Sequence, residues 1–532
     1  MYHFSTDSHI FIAEPTFVFI IAHAMPCSQI MILKFTIIIV PADIVYPTRP
    51  CYNGLNPFHG GLLHLKASGK LSKFFSVQDM TVGRPMDTLI AFSIPLLVGN
   101  FAQQLYNTVD SIIVGQYIGD TALAAVGTSG PILNLMLVLF MGISTGASIL
   151  SAQFFGAKDR PTLSRLVGST FFLTLASGIL MSIIGYFSTG FLITLVHPPE
   201  NVSIGAVTYL QIIFIGMTGA AAYNILSGVL RGMGDSFYPL VFLVIACLTN
   251  IVLDLVFVKY FGWGIAGVAW ATIIAQGISG ILCTIRLLSM KNEIDINRSV
   301  FIPDRILISK LVKLGFPAGI TSAIFSMSAI VVQNLTNSMG ELTIAATVAV
   351  MRVDGFAMMP NFTFGTAATT YVGQNIGAGK PDRVRPGTND LMRIALICSS
   401  VLVACILLFG RPLIGLFTQT DTVISLGARG LRWQALGYIA FAVSQVLQGV
   451  MRGAGETVIP MWISVISTII LRMPLAYLIA RLTVSAAWPN GNPDAIFSSL
   501  LISWVLAMVM TLFTYKNSHW KRKLPESIRN NI

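Results

Sequence analysis

The chain has 532 residues, of which 54% are hydrophobic and only 10% charged, and its mean hydropathy is +0.76. A soluble domain carries about 25% charged residues. This chain therefore lacks the polar side chains to cover a water-facing globule, which excludes an ordinary cytosolic enzyme and a disordered chain. The net charge of +11 is that of a membrane protein with Lys and Arg in cytoplasmic loops and few acids, so the expected partner is the lipid bilayer and no nucleic acid.

Residues 1–79 stand apart from the rest. They hold five of the seven histidines: His3, His9, His23, His59 and His64. Their apolar stretches, about 16–24 and 30–40, are broken by Glu14, Pro15, Lys34 and Pro41, and neither makes a clean span of about 20 residues. Met1–Ile10 contains no Lys or Arg and so no secretory n-region. The expectation is an anomalous extension from a mis-assigned start, with Met80 the initiator; the alternative is a genuine extension with one or two irregular hydrophobic segments.

From Met80 the apolar runs separate cleanly. They predict spans over about 88–113, 122–151, 162–186, 204–230, 238–259 and 265–289, then 311–336, 343–373, 390–416, 430–451, 458–481 and 495–515. The predicted fold is therefore all-α and integral to the membrane, with twelve transmembrane helices. An even number puts both termini on one side. Lys158, Arg160 and Arg165 follow span 2, six basic residues from Arg286 to Lys313 join spans 6 and 7, and Lys380, Arg383 and Arg385 follow span 8. Lys516, Lys521, Arg522 and Lys523 close the chain. The opposite loops carry only scattered basic residues, so both termini are expected in the cytoplasm.

Two halves of this chain match. QFFGAKDR at 153–160 returns as QNIGAGKPDR at 374–383, and GVLRGMGDSFYP at 228–239 returns as GVMRGAGETVIP at 449–460; both pairs start 221 residues apart. Pro95 and Pro317 lie 222 apart near the starts of spans 1 and 7. Three repeats in order at nearly one spacing imply duplication of a six-helix unit. Six spans return the chain to its starting side, so the repeats are parallel, a transporter design in which two lobes rock around a cavity. The expected organisation is an amino-terminal lobe at 80–290, a linker at 291–310, a carboxyl-terminal lobe at 311–515 and a basic tail at 516–532. Arg231-Gly232 and Arg452-Gly453 read as structural turns, with the arginines anchored at the cytoplasmic interface.

Three acids fall well inside the spans: Asp110, Asp254 and Asp354. A carboxylate in a bilayer costs at least roughly 2.5 kcal/mol and is a functional hypothesis by default. Gln103, Tyr106, Asn107 and Asp110 share one polar stripe of span 1. Asn250 precedes Asp254 by one helical turn, so the two side chains share a face. An amide oxygen beside a carboxylate suits half of a Na+ site, and equally a carboxylate that exchanges a proton. Asp354 lies two residues after Arg352, and such neighbours do not face each other on a helix, which leaves a structural ion pair and a functional carboxylate both open. No H-E-x-x-H, G-x-S-x-G or Walker A motif is present, so no enzyme activity is expected. The six cysteines form no C-x-x-C pair, and the four in apolar runs read as small core residues.

MTVGRP at 80–85, SIPLLVGNFAQQLYNTVDSIIVGQYIGDTALAAVG at 93–127, the paired Q-x-x-G-A segments and NIVLDLVFVKYFGWGIAGVAWATIIAQ at 250–276 resemble the multidrug and toxic compound extrusion (MATE) family, in the flavour of its prokaryotic, DinF-like branch. The resemblance runs from residue 80 to about 520. It implies two six-helix lobes around a central cleft and export of amphipathic, often cationic compounds by antiport with H+ or Na+. It implies no cofactor beyond that coupling ion, a monomer, and a bacterial or archaeal cell membrane. By matching positions it implies a cation site, a possible Na+ site, at Asp110, Asn250, Asp254 and Thr272. Tyr106 would be a polar partner near it, and Pro95 the point where span 1 bends. Gln103, Tyr209, Asn224 and Asp354 are candidate cavity residues. One departure stands out: spans 7 and 10 lack the acids of other branches, and span 10 offers Gln434, Gln445 and Gln448 instead. Two alternatives remain at this stage: a lipid-linked saccharide flippase of the wider superfamily, and a non-transporting scaffold or receptor.

Overall fold

Apolar runs that cross lipid fold as helices, because a helix satisfies its own N–H and C=O groups where no water can. The computed structural model describes residues 76–196, 198–295, 302–486, 488–517 and 521, all within one unit, Ala67–Ile532. Most of 1–79 and parts of the expected linker and basic tail lie outside the described residues.

In chain order the helices are α1 (Pro85–Tyr117), α2 (Asp120–Gly156), α3 (Arg160–Val196), α4 (Glu200–Ile215), α5 (Met217–Gly232), α6 (Phe237–Asp254) and α7 (Gly264–Ser289). The second set is α8 (Arg305–Ser338), α9 (Glu341–Ala357), α10 (Met359–Gly377), α11 (Val384–Gly415), α12 (Asp421–Gly453), α13 (Val458–Ser464), α14 (Met473–Leu482) and α15 (Asp494–Lys516). Among the described residues two π-helical segments interrupt the order. Leu255–Tyr260 continues α6, and Val465–Arg472 joins α13 to α14.

Among the described residues ten stretches are long and apolar enough to cross a bilayer, and the α4–α5 pair, bent by 55°, makes eleven. The break falls at Gly216, where an added Cβ would meet Ile273 Cβ at 2.2 Å; only glycine lets α7 approach there. The remaining long helix, α12, has 33 residues. Arg429, Arg432 and its three buried or nearly buried glutamines make it less apolar. Large exposed side chains such as Phe187, Phe191, Ile204 and Leu408 cover the outer faces. In water such a surface would aggregate, and in lipid it is the stable one.

The halves meet through small residues. α8 packs along α2, where Gly142 and Gly146 face Gly315 and Gly319 so closely that a Cβ on Gly146 would lie 2.5 Å from Leu311 O. Small residues let backbones approach closely, the usual source of helix affinity in lipid. α1 packs against α6 and also against α10.

One end of the bundle is sealed by the two repeats acting on each other. Gln153 Nε2 donates to Gly453 O at 3.0 Å, and Gln374 Nε2 donates to Gly232 O at 3.1 Å. Gly156 and Gly377 sit against the backbones of Gln374 and Gln153, each with its hypothetical Cβ 1.9 Å from the opposing carbonyl oxygen. Residues 78–81 dock on the same end. Gln78 N–H donates to Gly234 O at 3.0 Å, Met80 N–H to Gln374 Oε1 at 2.8 Å, and Lys380 Nζ to Thr81 O at 2.9 Å.

Candidate functional site

Two polar assemblies lie inside the bundle, one between helices of the first half and one between the halves. The first collects the acids of α1 and α6. Asp110 and Asp254 lie close enough to act directly on each other. Two ionised carboxylates have no donor between them, so such a contact needs a shared proton or a cation. Asn250 and Asp254 are fully buried. With its amide nitrogen turned to Asp254, Asn250 donates to Asp254 Oδ2 at 2.9 Å and accepts from Thr272 N–H at 3.2 Å. The Thr272 hydroxyl donates to Val268 O at 2.9 Å and is also in hydrogen-bonding contact with Tyr106. Tyr209, 5% exposed, lies close to both acids.

The local sequence explains this placement. The one-turn spacing of Asn250 and Asp254 stacks them on α6, and Asp254 is the last α-helical residue before the π-helical Leu255–Tyr260. A π turn widens the helix and is frequent at functional sites. Asp110 Oδ1 and Asp254 Oδ1 are buried with no hydrogen-bond partner. Leaving such acceptors unpaired costs roughly 1–3 kcal/mol each. The acceptors left without a partner are carboxylate oxygens, which fit a hard cation or a proton, while Asn250 supports Asp254 as a donor.

The second assembly is a cleft of about 730 Å³ between the halves, within the range of roughly 300–1,000 Å³ for small-molecule pockets. Pro95, Gln103, Asn224, Gln445 and Gln448 line it; Tyr209, Asp354 and Gln434 do not. Of the cavity residues expected from the sequence, then, Gln103 and Asn224 reach the cleft. Tyr209 sits instead beside the acids of α1 and α6, because its side of α4 faces α7 rather than the second half. Asp354 sits in the second half, where Tyr438 Oη donates to its Oδ1 at 2.6 Å. Arg472 lies close by and donates to Ser328 Oγ at 3.1 Å. Arg352 is exposed.

The cleft also holds two residues that the sequence reading put elsewhere. Arg231 and Arg452 are not interfacial anchors: both line the cleft and are the charged residues of its wall. Each lies one residue before the glycine that accepts a cross-half bond. The signal was in the sequence, since both belong to the repeated G-V-x-R-G motif.

The comparisons follow this architecture. A family model described as MatE matches twice, over residues 95–256 and 317–478. The chain belongs to the MatE family. The two matches start 222 residues apart, the offset of Pro95 and Pro317. The chain is 30% identical over 444 residues to "Probable multidrug resistance protein YpnP" of Bacillus subtilis (strain 168), covering 83% of this chain and 97% of that protein. It is 26% identical over 422 residues to "Probable multidrug resistance protein NorM" of Thermotoga maritima, covering 78% and 90%. A solved structure described as the outward-facing conformation of a multidrug resistance MATE family transporter of the MOP superfamily superposes with a TM-score of 0.77 at 22% identity, over 84% of this chain and 98% of that one. This MATE chain is thus an all-helical, multi-pass membrane protein of a transporter family, with the two-lobe fold.

Proposed function

We propose that this MATE protein is a secondary multidrug exporter that moves small amphipathic compounds, cationic ones among them, out of the cell in exchange for H+ or Na+. It acts without a cofactor and without covalent chemistry on its substrate. The observation that carries this reading is the Asp110–Asp254 contact, with two buried oxygens that have no donor, beside Asn250, Thr272 and Tyr106. Such a contact is stable only when a proton or cation neutralises it. The names of the relatives at 30% and 26% identity support the drug-efflux part.

The mechanism follows from charge. Facing outward, the acids take up the coupling ion. α1 carries Asp110 and runs unbroken through Pro95, and a proline inside a helix removes one backbone bond and weakens it there. Neutralising Asp110 and Asp254 removes their attraction for a cationic substrate and the repulsion between them, and favours bending of α1 at Pro95. Substrate leaves outward, the cleft reopens inward, and the ion is released. Asp110→Asn and Asp254→Asn are each expected to abolish ethidium efflux from vesicles under an imposed pH or Na+ gradient, with the protein still folded in the membrane. The gradient that drives wild-type efflux names the ion. Normal efflux from either variant would sink the assignment.

A second reading, translocation of a lipid-linked saccharide, draws support from Arg231 and Arg452 in the cleft, since a pyrophosphate needs a basic seat. Ethidium efflux driven by an ion gradient counts against it.

A further inference from the structure

The central cleft is lined by neutral amides, hydroxyls and apolar side chains, and the charged residues in its wall are Arg231 and Arg452, with no Asp or Glu. The two arginines hold matching places in the two repeats, at the ends of α5 and α12. Among the described residues neither has a carboxylate acting on it. Arg231 has Tyr223 and Cys283 as its interacting neighbours, and no charged group acts on Arg452. Arg231 Nη2 donates one long bond, 3.3 Å, to Ser144 Oγ. Arg452 Nη2 lies along Gly365, where an added Cβ would be 3.2 Å away. The acids nearest in sequence are engaged elsewhere. Asp235 Oδ2 receives both Nε and Nη2 of Arg286 at 3.0 Å. Glu456 Oε1 accepts the N–H groups of Val458 and Ile459.

Two half-buried guanidiniums without acids, facing one cavity, are an uncompensated charge pair. Burying a charge is costly unless it is paired. The guanidinium fork matches a carboxylate, sulfonate or phosphate, to which it bonds bidentately. We infer that the cleft is built to seat the anionic head group of an amphipathic compound on Arg231 and Arg452, its apolar body lying toward Leu137, Met141, Phe325 and Phe362. The inference rests on the reading that this cleft is the transport cavity, and it adds a class of anionic amphipaths to the compounds that cavity takes. The acids of α1 and α6 lie outside the cleft wall, so ion coupling and head-group selection use separate residues.

Equilibrium binding, measured with no ion gradient, tests the charge preference apart from transport. The full-length protein in phosphatidylcholine nanodiscs is titrated against fluorescein, followed by anisotropy. Octyl sulfate and octyltrimethylammonium, with one tail and opposite heads, are then used as competitors. Octyl sulfate should displace fluorescein at a concentration at least about tenfold lower. Arg231→Gln and Arg452→Gln should each weaken fluorescein at least about tenfold, the scale of one charge-assisted hydrogen bond. The Arg→Lys forms, which keep the charge but lose the fork, should bind more tightly than the Gln forms and more weakly than the wild type, and ethidium binding should not weaken in any of the four. Equal displacement by both competitors, or unchanged fluorescein affinity in both Gln variants, would overturn the inference. If the Gln variants do not fold, the competition on the wild type decides alone. Repeating the titration in phosphatidylglycerol separates two sources of the same chemistry: weaker fluorescein binding there marks a lipid head group as the occupant, unchanged binding a soluble anion. Fluorescein that binds but is not exported from proteoliposomes leaves the anion seat standing and counts against the transport reading of the cleft.

Discussion

A carboxylate held between helices needs donors, and Asp354 has a short one in Tyr438 Oη at 2.6 Å. A hydrogen bond to a charged group in such a place is worth about 1.5–3 kcal/mol net. Tyr438→Phe keeps the ring against Trp504, whose centroid lies 5.6 Å away, and removes only the hydroxyl. It is expected to lower stability by about 1.5–3 kcal/mol, read from unfolding of the detergent-solubilised protein. Unchanged stability would mean that Arg472 alone suffices to hold Asp354. The same scale shows what a sequence can and cannot say. Asn250 and Asp254 were legible because one helical turn separates them, and a helix face follows from spacing alone. The partnership of Asp110 with Asp254 spans 144 residues, and no local rule links them; resemblance pointed to it. Arg231 and Arg452 were misplaced for a physical reason. An arginine before a helix-ending glycine has the same local pattern whether it reaches for head groups or turns into a cleft. The packing of the two halves makes that choice.

Helix positions were largely legible from apolar runs, and the departures have particular causes. The fourth and eighth predicted spans are each two helices, α4–α5 and α9–α10. Gly216 permits the first break by admitting Ile273, and Pro360 lies at the start of α10 beside the second. The two π-helical segments leave no mark in hydropathy. What the repeated Q-x-x-G-A motifs do was equally hidden, because their partners are across the bundle. Gln153 and Gln374 bond to Gly453 O and Gly232 O, and each bond contributes about 0.5–1.5 kcal/mol. Gln153→Leu with Gln374→Leu removes both, and a loss of about 1–3 kcal/mol shifts a two-state equilibrium about 5- to 150-fold. The double variant should therefore populate a state open at this end. The measurement is the distance distribution between spin labels at Ala157→Cys and Ala378→Cys in a background without other cysteines. An unchanged distribution would mean that the contacts of Gly156 and Gly377 hold the seal without the amides.

At the scale of the whole molecule, the sealed end and the basic end are the same. Lys158 and Arg160 follow α2 directly after Gly156, and Lys380 and Arg383 follow α10 directly after Gly377. Arg160 pairs with Asp295 at 2.7 Å and Arg165 with Asp304 at 3.5 Å, both on exposed arginines, so these pairs add little stability. With these basic loops in the cytoplasm, as the positive-inside rule expects, the structure is one shut to the cytoplasm, with Arg231 and Arg452 in its cleft. Labelling in intact cells checks this orientation. In a background without other cysteines, Gln419→Cys lies in the opposite loop, between α11 and α12, and Asp382→Cys lies just after α10; both positions are exposed. A membrane-impermeant maleimide should label the first in intact cells and the second only after permeabilisation. The reverse pattern would leave every contact as it is and invert its meaning. The cleft would then face the cytoplasm, and the close approach of Asp110 and Asp254 would belong to the stage of substrate loading rather than release.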